Sequence, residues 1–461
     1  MVTSIRGKCS LLLGICLTVT AVPILAQQQY SLQDLVTITF KNLPALHQKQ
    51  ALVDAAHASV TDVRHSFLPQ VRASEQINIG SANSLAGSFF TFGITPSTSA
   101  SVRDENTLQA ATGNVAVVYS EYELYNFGLR QTRISNAEKI VDFQKADLER
   151  EQYLSSIAVA KLYFNILKNQ SLLEADRQNV ARYDSIFHLI QVLTISGIKA
   201  GSDSSLSKAE LSKTKINYTQ TAGVLKQLKE QLAFYTALPA DSLSLEALAN
   251  SLTPGINQSS NTDSANNPLL SYYTKKKDVL VANDALIRKS YLPKIMLAGS
   301  VWGRGSSIQF SDQYKSLTTG LGYQRFNYAF GVAFTYNLFN GLYKKDKLNI
   351  NRYQTAAATA EIEQQQNALQ AASLQADNAL QVSKESLQEL NVQLQSANDT
   401  YKQKMAQYKA GIISLIDLTN ASFVLYRSQL DFISTINNWY LAQLDKAAAG
   451  GYLNQFIQSI K

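Results

Sequence analysis

The sequence predicts a mixed α and β membrane protein that is written twice, with one β-hairpin and one pair of very long helices in each half. Three observations lead to this fold class. Pairs of prolines 25 positions apart occur in both halves, and leucine precedes the second proline each time. Residues that alternate between large apolar and small or polar types follow both Leu-Pro pairs. The stretches 129–196 and 342–410 contain neither glycine nor proline, which is typical of long helices.

The first 26 residues are interpreted as a secretory signal peptide. Two basic residues precede a short apolar core at 11–20, and Ala26 precedes a polar start at Gln27. A membrane anchor is the alternative, but an apolar core of this length is short for a spanning helix. Cys9 and Cys16 both lie in this segment, so the mature chain is expected to have no disulfide and no thiol chemistry.

The composition argues against catalysis and against nucleic-acid binding. The four histidines are dispersed without metal-ligand spacing, and no phosphate-binding glycine loop or nucleophile motif occurs. We therefore expect no catalytic residue, no metal and no cofactor. The net charge of +7 is mild for this length, and the basic run at 275–277 is interpreted as a solvated helix face.

Proline marks the end of the first helix in each half. Pro69 follows Leu68 in "HSFLPQV", and Pro293 follows Leu292 in "KSYLPKI". Proline cannot continue a helix, and it pushes the residue before it toward extended geometry. Both Leu-Pro pairs are therefore predicted to be helix-to-strand boundaries, and the alanine-rich stretches before them are predicted to be helices.

A β-hairpin is predicted after each Leu-Pro pair, at about 70–126 and about 294–340. The clearest strand, 328–339, alternates large apolar residues with small or polar ones. This pattern suits a barrel strand that faces lipid, and a strand of a soluble sandwich is the alternative. The other strands are predicted at 71–80, 113–125 and 294–305. The returns from strand to helix are predicted at Asn126 and Gly128, and at Asn340 and Gly341.

Each hairpin is followed by a long helix that is interrupted once. At 1.5 Å per residue, a helix over 129–196 or 342–410 reaches roughly 100 Å. Apolar residues recur every seven positions in both stretches, which is coiled-coil spacing. The interruptions share Lys-Ala-Gly, which ends at Gly201 and at Gly411. A soluble coiled coil would explain these helices but not the hairpins.

The duplication divides the chain into two repeats with a connecting segment. The first repeat is predicted at 27–238 with its tip near 197–205, a linker or equatorial segment at 239–267, the second repeat at 268–449 with its tip near 411–415, and a C-terminal segment at 450–461. After residue 26 no apolar stretch is long enough for a spanning helix, so a closed β-barrel is the remaining way into a membrane.

Four strands per chain are too few to close a barrel, so membrane strands of this chain would require several copies. Three copies would supply twelve strands and would gather their long helices into one bundle. Twelve strands around a lumen, continued by a tube of helices, describe a duct. A surface coiled-coil adhesin is a distant alternative, and it predicts neither the hairpins nor the duplicated Leu-Pro boundaries.

The whole mature chain resembles the TolC-type outer-membrane efflux proteins. The resemblance is carried by "SLQDLVTITFKNLPAL", by the two Leu-Pro phrases, by the Asn/Gly returns and by "YKAGIISLIDLTNASFVLYRSQLDF". It implies a homotrimer with a twelve-stranded barrel in outer-membrane lipid and a long periplasmic α-barrel. It also implies a periplasmic adaptor and an inner-membrane pump as partners, or alternatively a type I secretion machine.

The resemblance further implies that the chain reverses at the periplasmic tips, which form a gated entrance and meet the adaptor. Gly201 and Gly411 are expected to make the two turns. Ile412, Ile413 and Leu415 are expected to close the entrance and to contact the adaptor. Ile413 stands where some members of the family have an arginine, so a less charged closure is expected.

Asp417 matches an acidic position that lines the entrance in the family, and Tyr408 matches a tyrosine of the tip. Copies of Asp417 around an axis would form a ring that favours cations. The alternative is that Asp417 only stabilises the N-terminal end of the returning helix. Asn420 stands where a second acid often occurs, and Ser207, not an acid, is expected in the corresponding region of the first repeat.

Overall fold

The computed structural model describes four stretches of the chain. These are residues 29–86, 102–198, 200–245 and 267–460. The predicted signal peptide, Lys199 and most of the predicted linker 239–267 lie outside them. The helices are α1 (Leu32–Asn42), α2 (Pro44–His65), α3 (Leu129–Ile195), α4 (Gly201–Thr236), α5 (Pro268–Ser290), α6 (Asn340–Lys409), α7 (Leu415–Gly450) and α8 (Leu453–Ser459). The strands are β1 (Gln29–Tyr30), β2 (Gln70–Gly80), β3 (Ala111–Tyr125), β4 (Ser244–Leu245), β5 (Lys294–Ser306) and β6 (Arg325–Thr335).

The order of these elements repeats once along the chain. A helix that begins with proline, α2 or α5, leads into a β-hairpin, and a long helix and a returning helix follow. Pro44 and Pro268 lie in the first turns, where a missing N–H costs no helical hydrogen bond. The predicted internal duplication is therefore present in the order of the elements.

The long helices have the predicted length and position. Helix α3 has 67 residues and α6 has 70, and each packs against the returning helix that follows it. Many buried positions in these contacts are small, among them Ala160 and Ala376, which allows the helix axes to approach closely. None of the helices that the structure describes is both long and apolar enough to span a membrane.

The two hairpins form a single antiparallel sheet in the order β2-β3-β5-β6. The pairing of β3 with β5 joins the two repeats. The edge strands are β2 and β6, and the outer side of each pairs with no other strand among the described residues. One cross-strand row runs Glu75, Ala116, Gly303 and Phe326, so these four residues share a face. The sheet is open, with two edges available for pairing.

The two faces of this sheet differ in polarity. The face of Phe326 also carries Tyr328, Phe330, Val332 and Phe334, all exposed in the single chain. The opposite face is mainly polar or small, with Arg72, Gln76, Ser300, Arg304 and Asn327, but it also carries Val115, Val117, Tyr119, Met296 and Trp302. The predicted alternation is thus correct for β6, but its bounds are not. The strand ends at Thr335, because 336–339 turn toward α6 instead of continuing to Phe339.

The main core lies where the short elements pack against the long helices. The parallel pair β1-β4, the helices α1 and α8, and parts of α3, α4 and α7 meet there. Phe164 stacks on Tyr440 with ring centroids 5.2 Å apart, and the Tyr153 hydroxyl donates to the Ala448 carbonyl at 2.8 Å. Asn267 donates to the carbonyls of Ala448 and Ala449, so it ties the start of α5 to the end of α7. This core fixes the two repeats to each other.

Candidate functional site

Two tight reversals join the long helices to the returning helices. Gly197 has a φ of 72° and Gly411 a φ of 76°, a conformation that glycine adopts without steric cost. In each reversal the isoleucine after the glycine, Ile198 or Ile412, donates its N–H to the carbonyl five residues earlier, at 2.9 and 3.0 Å. These are Schellman motifs, which satisfy the carbonyls at a helix end and stop the helix.

This geometry corrects the turn predicted for the first repeat. Gly201 is the first residue of α4 and does not have a positive φ, whereas Gly197 makes the turn. The shared Lys-Ala-Gly misled the sequence interpretation, because it places the repeats four positions out of register. Aligning Gly197 with Gly411 sets Asp203 opposite Asp417, so the first repeat has an acid at the position in question and Ser207 is not its counterpart.

The two returning helices start differently. Ser414 caps α7: its hydroxyl accepts from the Asp417 N–H at 3.3 Å, and the Asp417 carboxylate accepts from the Ser414 N–H at 3.1 Å. This capping box satisfies two free donors of the helix end. Helix α4 begins after Ala200, whose methyl side chain cannot accept a hydrogen bond and therefore does not cap the helix. The second reversal therefore holds its returning helix more firmly than the first.

An apolar cluster lies directly behind the second reversal. Tyr408 is the largest buried side chain in it and packs with Leu415 and Leu418 of α7, while Ile186 and Ile190 come from the end of α3. Ile413 packs against the cluster, but Ile412 is exposed. The structure therefore brings Tyr408, Leu415 and Ile413 together and leaves Ile412 on the surface. Because α3 contributes to the cluster, the ends of both repeats are in contact.

Asp417 lies exposed at the start of α7, one turn before Asn420, which is also exposed. Hydrogen bonds from Ser414, first from its hydroxyl and then from its backbone, lower the pKa of the Asp417 carboxyl. The carboxylate is therefore charged at neutral pH while it also caps the helix. Asp417 thus has the helix-stabilising role expected as one alternative. Its carboxylate is also exposed, as a pore-lining role requires.

Asp203 is a residue of the tip that the sequence interpretation missed. It is half-buried, and its negative charge, after burial, raises the pKa of the Tyr408 hydroxyl. A signal for it exists in the sequence, because glycine-isoleucine is followed by aspartate at the same distance in "GIKAGSD" and "GIISLID". The tip of each chain thus carries two carboxylates, one from each repeat.

Further from the tip, a buried polar seam joins α3 to α7. The Tyr426 hydroxyl donates to the carboxylate of Asp176, which is 2% exposed. The Arg182 guanidinium donates to Asn179 at 3.1 Å and to Gln429 at 3.3 Å. Polar groups in such a contact must be paired with one another, so they fix the register of the two helices. The sequence interpretation assigned no role to these residues.

Both helix-to-strand boundaries, and the strand-to-helix boundary of the first repeat, lie where the sequence places them. Leu68-Pro69 and Leu292-Pro293 lie between helix and strand, as predicted. Asn126 and Gly128 lie between β3 and α3, and Gly128 has a φ of 85°.

The return in the second repeat differs from the prediction. Asn340 and Gly341 are already helical, and the turn before them is made by Asn337, whose side chain accepts from the Phe339 N–H at 2.9 Å. Asn340 instead donates to the Tyr291 carbonyl at 3.0 Å, which ties the start of α6 to the end of α5.

In the parts of the chain that the structure describes, no three histidine, cysteine, aspartate or glutamate side chains are placed to hold a metal ion. The tip has two carboxylates, of which Asp203 acts on the buried Tyr408 of the apolar cluster and Asp417 is exposed. The chemistry of the sheet is that of one apolar and one polar face.

Solved structures of outer-membrane proteins superpose on this chain. The CmeC channel of Campylobacter jejuni superposes with a TM-score of 0.73 at 15% identity, covering 93% of this chain and 90% of that one. VceC of Vibrio cholerae gives 0.72 at 12% identity, covering 91% and 96%. The open-state MtrE channel of Neisseria gonorrhoeae gives 0.67 at 18% identity, covering 92% and 89%. These likenesses establish the fold.

The sequence itself supplies the family. No curated protein matches it significantly. The model of a family described as outer membrane efflux protein matches residues 35–238 and 264–450, which correspond to the two repeats. The chain belongs to the outer membrane efflux protein family and is a protein of the outer membrane.

Proposed function

We propose that three copies of this chain form the outer-membrane exit duct of a tripartite efflux system. Each copy contributes four strands to a twelve-stranded barrel and its long helices to a periplasmic tube. The duct conducts small molecules passively to the exterior, and an inner-membrane pump supplies the energy. A periplasmic adaptor meets the helical tips. The observation that carries the proposal is the open four-stranded sheet, which has two unpaired edges and faces of opposite polarity.

The unpaired edges are the first support for three copies. An exposed edge strand presents a row of free N–H and C=O groups, and in lipid each such group must be paired. Strands β2 and β6 have 11 residues each, which matches a strand that crosses a bilayer. Pairing β6 of one copy with β2 of the next removes both edges, and three copies close the ring.

The faces of the sheet give the orientation of the barrel wall. The face of Tyr328 and Phe330 is apolar, and Phe330 is 76% exposed in the single chain. Lipid covers such a face at no cost in hydrogen bonding, while the polar face of Arg72, Ser300 and Asn327 suits a water-filled lumen. Glu75 lies on the apolar face, where its carboxylate accepts a hydrogen bond from the Tyr323 hydroxyl at 2.8 Å.

The tips supply the entrance of the duct. Asp417 and Asn420 lie exposed at the start of α7, and three copies of Asp417 around the axis form a ring that favours cations. Tyr408, Ile413 and Leu415 pack behind the second turn and hold the entrance closed. Ile412 remains on the surface, where the adaptor can contact it. Gly411 and, in place of Gly201, Gly197 make the turns.

The mass of the protein in solution tests the assembly. The mature protein is extracted from outer membranes in a mild detergent, and its mass is measured by light scattering corrected for bound detergent. Three chains per particle are expected. A particle of one chain, or a protein that is soluble without detergent, would leave four strands unable to close and would overturn the duct.

A second candidate function is the outer-membrane channel of a type I secretion system, because a duct of this shape is indifferent to its cargo. The surface adhesin is disfavoured, since it requires no four-stranded sheet. Deletion of the gene separates efflux from secretion. Efflux predicts that deleted cells accumulate a fluorescent dye while their secreted proteins are unchanged. Unchanged dye accumulation with the loss of a secreted protein would favour secretion.

A further inference from the structure

Cations that form no ion pair lie where the helices meet the sheet. We call six of them the basic collar: Arg130, Arg133, Lys289, Lys344, Lys345 and Lys347. Among the described residues no carboxylate lies within ion-pair distance of any of the six. Their neighbours are paired, since Arg64 bonds Glu138 and Lys294 bonds Glu123. Asp346 is a carboxylate within the collar segment of α6, and the six cations outnumber it, so the collar has net positive charge.

The collar lies at the end of the helices nearest the sheet. Arg130 and Arg133 are in the first turns of α3, Lys289 is in the last turn of α5, and the three other lysines are in the first turns of α6. At 1.5 Å per residue, each is within roughly 11 Å of the helix end. Arg130 and Arg133 are both placed over the Phe67 ring, 5.9 and 5.6 Å from its centroid. One helix of the first repeat and two helices of the second thus present cations near the sheet.

Exposed apolar side chains lie between the collar and the sheet. Leu338 is 85% exposed and Leu342 is 62% exposed, and Phe339 and Tyr343 are also exposed. In the first repeat Leu124 and Tyr125 lie at the equivalent strand-to-helix junction and are exposed as well. A belt of aromatic and aliphatic side chains next to a row of cations is the arrangement found where a membrane protein crosses from acyl chains to headgroups.

We propose that the basic collar binds the phosphate groups of anionic phospholipids, with phosphatidylglycerol as the representative headgroup, in the periplasmic leaflet of the outer membrane. The proposal rests on the proposed function for the orientation of the sheet in the membrane. Lysine and arginine near an anionic lipid surface are attracted within about a Debye length, so a collar at headgroup level is placed to bind. The exposed apolar residues beside the collar enter the acyl region. They favour a lipid over a free anion, because a free anion has no acyl chain to contact them.

The basic run at 275–277 provides the comparison that singles out the collar. Lys276 bonds Glu361 at 2.7 Å, and Lys275 lies 3.7 Å from Asp278. This run is more than ten residues from the end of α5, so at 1.5 Å per residue it lies roughly 20 Å from the sheet. It has three lysines, as the α6 part of the collar does, but Lys275 and Lys276 have carboxylate partners. It is therefore a matched control for the effect of charge alone.

Lipid binding is measured on the full protein in a mild detergent, by native mass spectrometry during titration with phosphatidylglycerol or phosphatidylcholine. The wild type is expected to retain phosphatidylglycerol in preference, and added salt is expected to weaken this binding. The triple variant K344Q/K345Q/K347Q is expected to bind it more weakly by on the order of a hundredfold. The variant K275Q/K276Q/K277Q is expected to match the wild type. The variant R130Q/R133Q repeats the test on another helix.

Three results would overturn the inference while the proposed duct stands. In the first, a trimeric wild type binds phosphatidylglycerol and phosphatidylcholine equally. In the second, both collar variants bind phosphatidylglycerol as the wild type does. In the third, the 275–277 variant loses as much binding as the collar variants. The mass of each particle is recorded in the same spectra. A wild type that is monomeric and holds no lipid would overturn the duct and the collar together, so the two failures are distinguishable.

Discussion

Asp203 and Asp417 are each the third residue of a returning helix, and the duplication relates their positions. The first is half-buried beside Tyr408, whereas the second is exposed and bonded to Ser414. One ancestral position thus serves two environments in each chain. In the proposed trimer the tips bring six carboxylates near the axis, and only those of Asp417 are fully open to solvent.

Asp417→Asn is expected to lower the preference of the duct for cations, because it removes three charges from the entrance. The ratio of cation to anion permeability should fall by roughly twofold or more. The measurement is the reversal potential of single channels in a planar bilayer under a salt gradient. Since hydrogen bonds from Ser414 lower the pKa of Asp417, the wild-type preference should persist as the pH falls to the ordinary aspartate range of about 4. It should be lost only at lower pH.

Ser414→Ala is the control for this experiment. It removes the cap of α7, which typically costs about 1 kcal/mol, but it keeps the carboxylate. Selectivity at neutral pH should therefore be retained, and the pH at which selectivity is lost should rise. If Asp417→Asn leaves the reversal potential unchanged, the carboxylate serves the helix alone and the ring is excluded.

The glycines of the two reversals are expected to be sensitive to a side chain. Gly197→Ala and Gly411→Ala force alanine into a left-handed conformation, which costs about 1–2 kcal/mol. Gly201→Ala is the matched control, since Gly201 starts a helix and an added Cβ meets nothing within 4 Å. Denaturant midpoints in detergent should fall for the first two variants and be unchanged or slightly higher for the third. A fall for Gly201→Ala of the same size would contradict the assignment of Gly197 as the turn.

The sequence was sufficient for the parts of the fold that depend on local chemistry. Proline fixes where α2 and α5 end, and the absence of glycine and proline predicts the length of α3 and α6. The predicted end of β6 was wrong. Tyr336 and Leu338 continue the alternation of large and small side chains, but the backbone already turns toward the helix at Tyr336. The backbone turns because the Phe339 N–H donates to the Asn337 side chain, and the alternation of side chains does not reveal this hydrogen bond.

Tyr426→Phe is expected to destabilise the contact between α3 and α7. The variant leaves the buried Asp176 carboxylate without a donor, at a cost of about 1–3 kcal/mol. Burial, and then the bond to Asp176, raise the pKa of the Tyr426 hydroxyl in the folded protein. Above about pH 10 the unfolded chain therefore loses this proton first, and the free energy of unfolding falls as the pH rises. The variant should show a smaller alkaline fall.

Thermal unfolding in detergent, followed by circular dichroism at several pH values, measures both effects of Tyr426→Phe. Tyr218→Phe is the control, because Tyr218 is an exposed tyrosine on the neighbouring helix α4. It should unfold as the wild type does at every pH. Equal stability of Tyr426→Phe and the wild type at neutral pH would show that Asp176 finds another donor.

The candidate site could be predicted only in part, because it depends on register between distant segments. Tyr408 and Asp417 follow from one continuous phrase near Gly411. Asp203 requires the repeats to be aligned on the correct glycine, and two glycines four positions apart, Gly197 and Gly201, compete for that place. The buried pair of Asp176 and Tyr426 joins residues 250 positions apart, and nothing local to either residue indicates the other.

The loop between β5 and β6 is expected to depend on the absence of a side chain at Gly305. A Cβ there would lie 2.0 Å from the Gly322 carbonyl oxygen, so Gly305→Ala must displace the loop segment that covers the sheet. Such overpacking typically costs about 1–3 kcal/mol. In the proposed orientation this loop is extracellular, so trypsin added to intact cells should cleave after Lys315 faster in the variant. Gly331→Ala, whose Cβ meets nothing within 4 Å, should be cleaved like the wild type. Equal cleavage of all three proteins would show that the loop moves independently of the sheet.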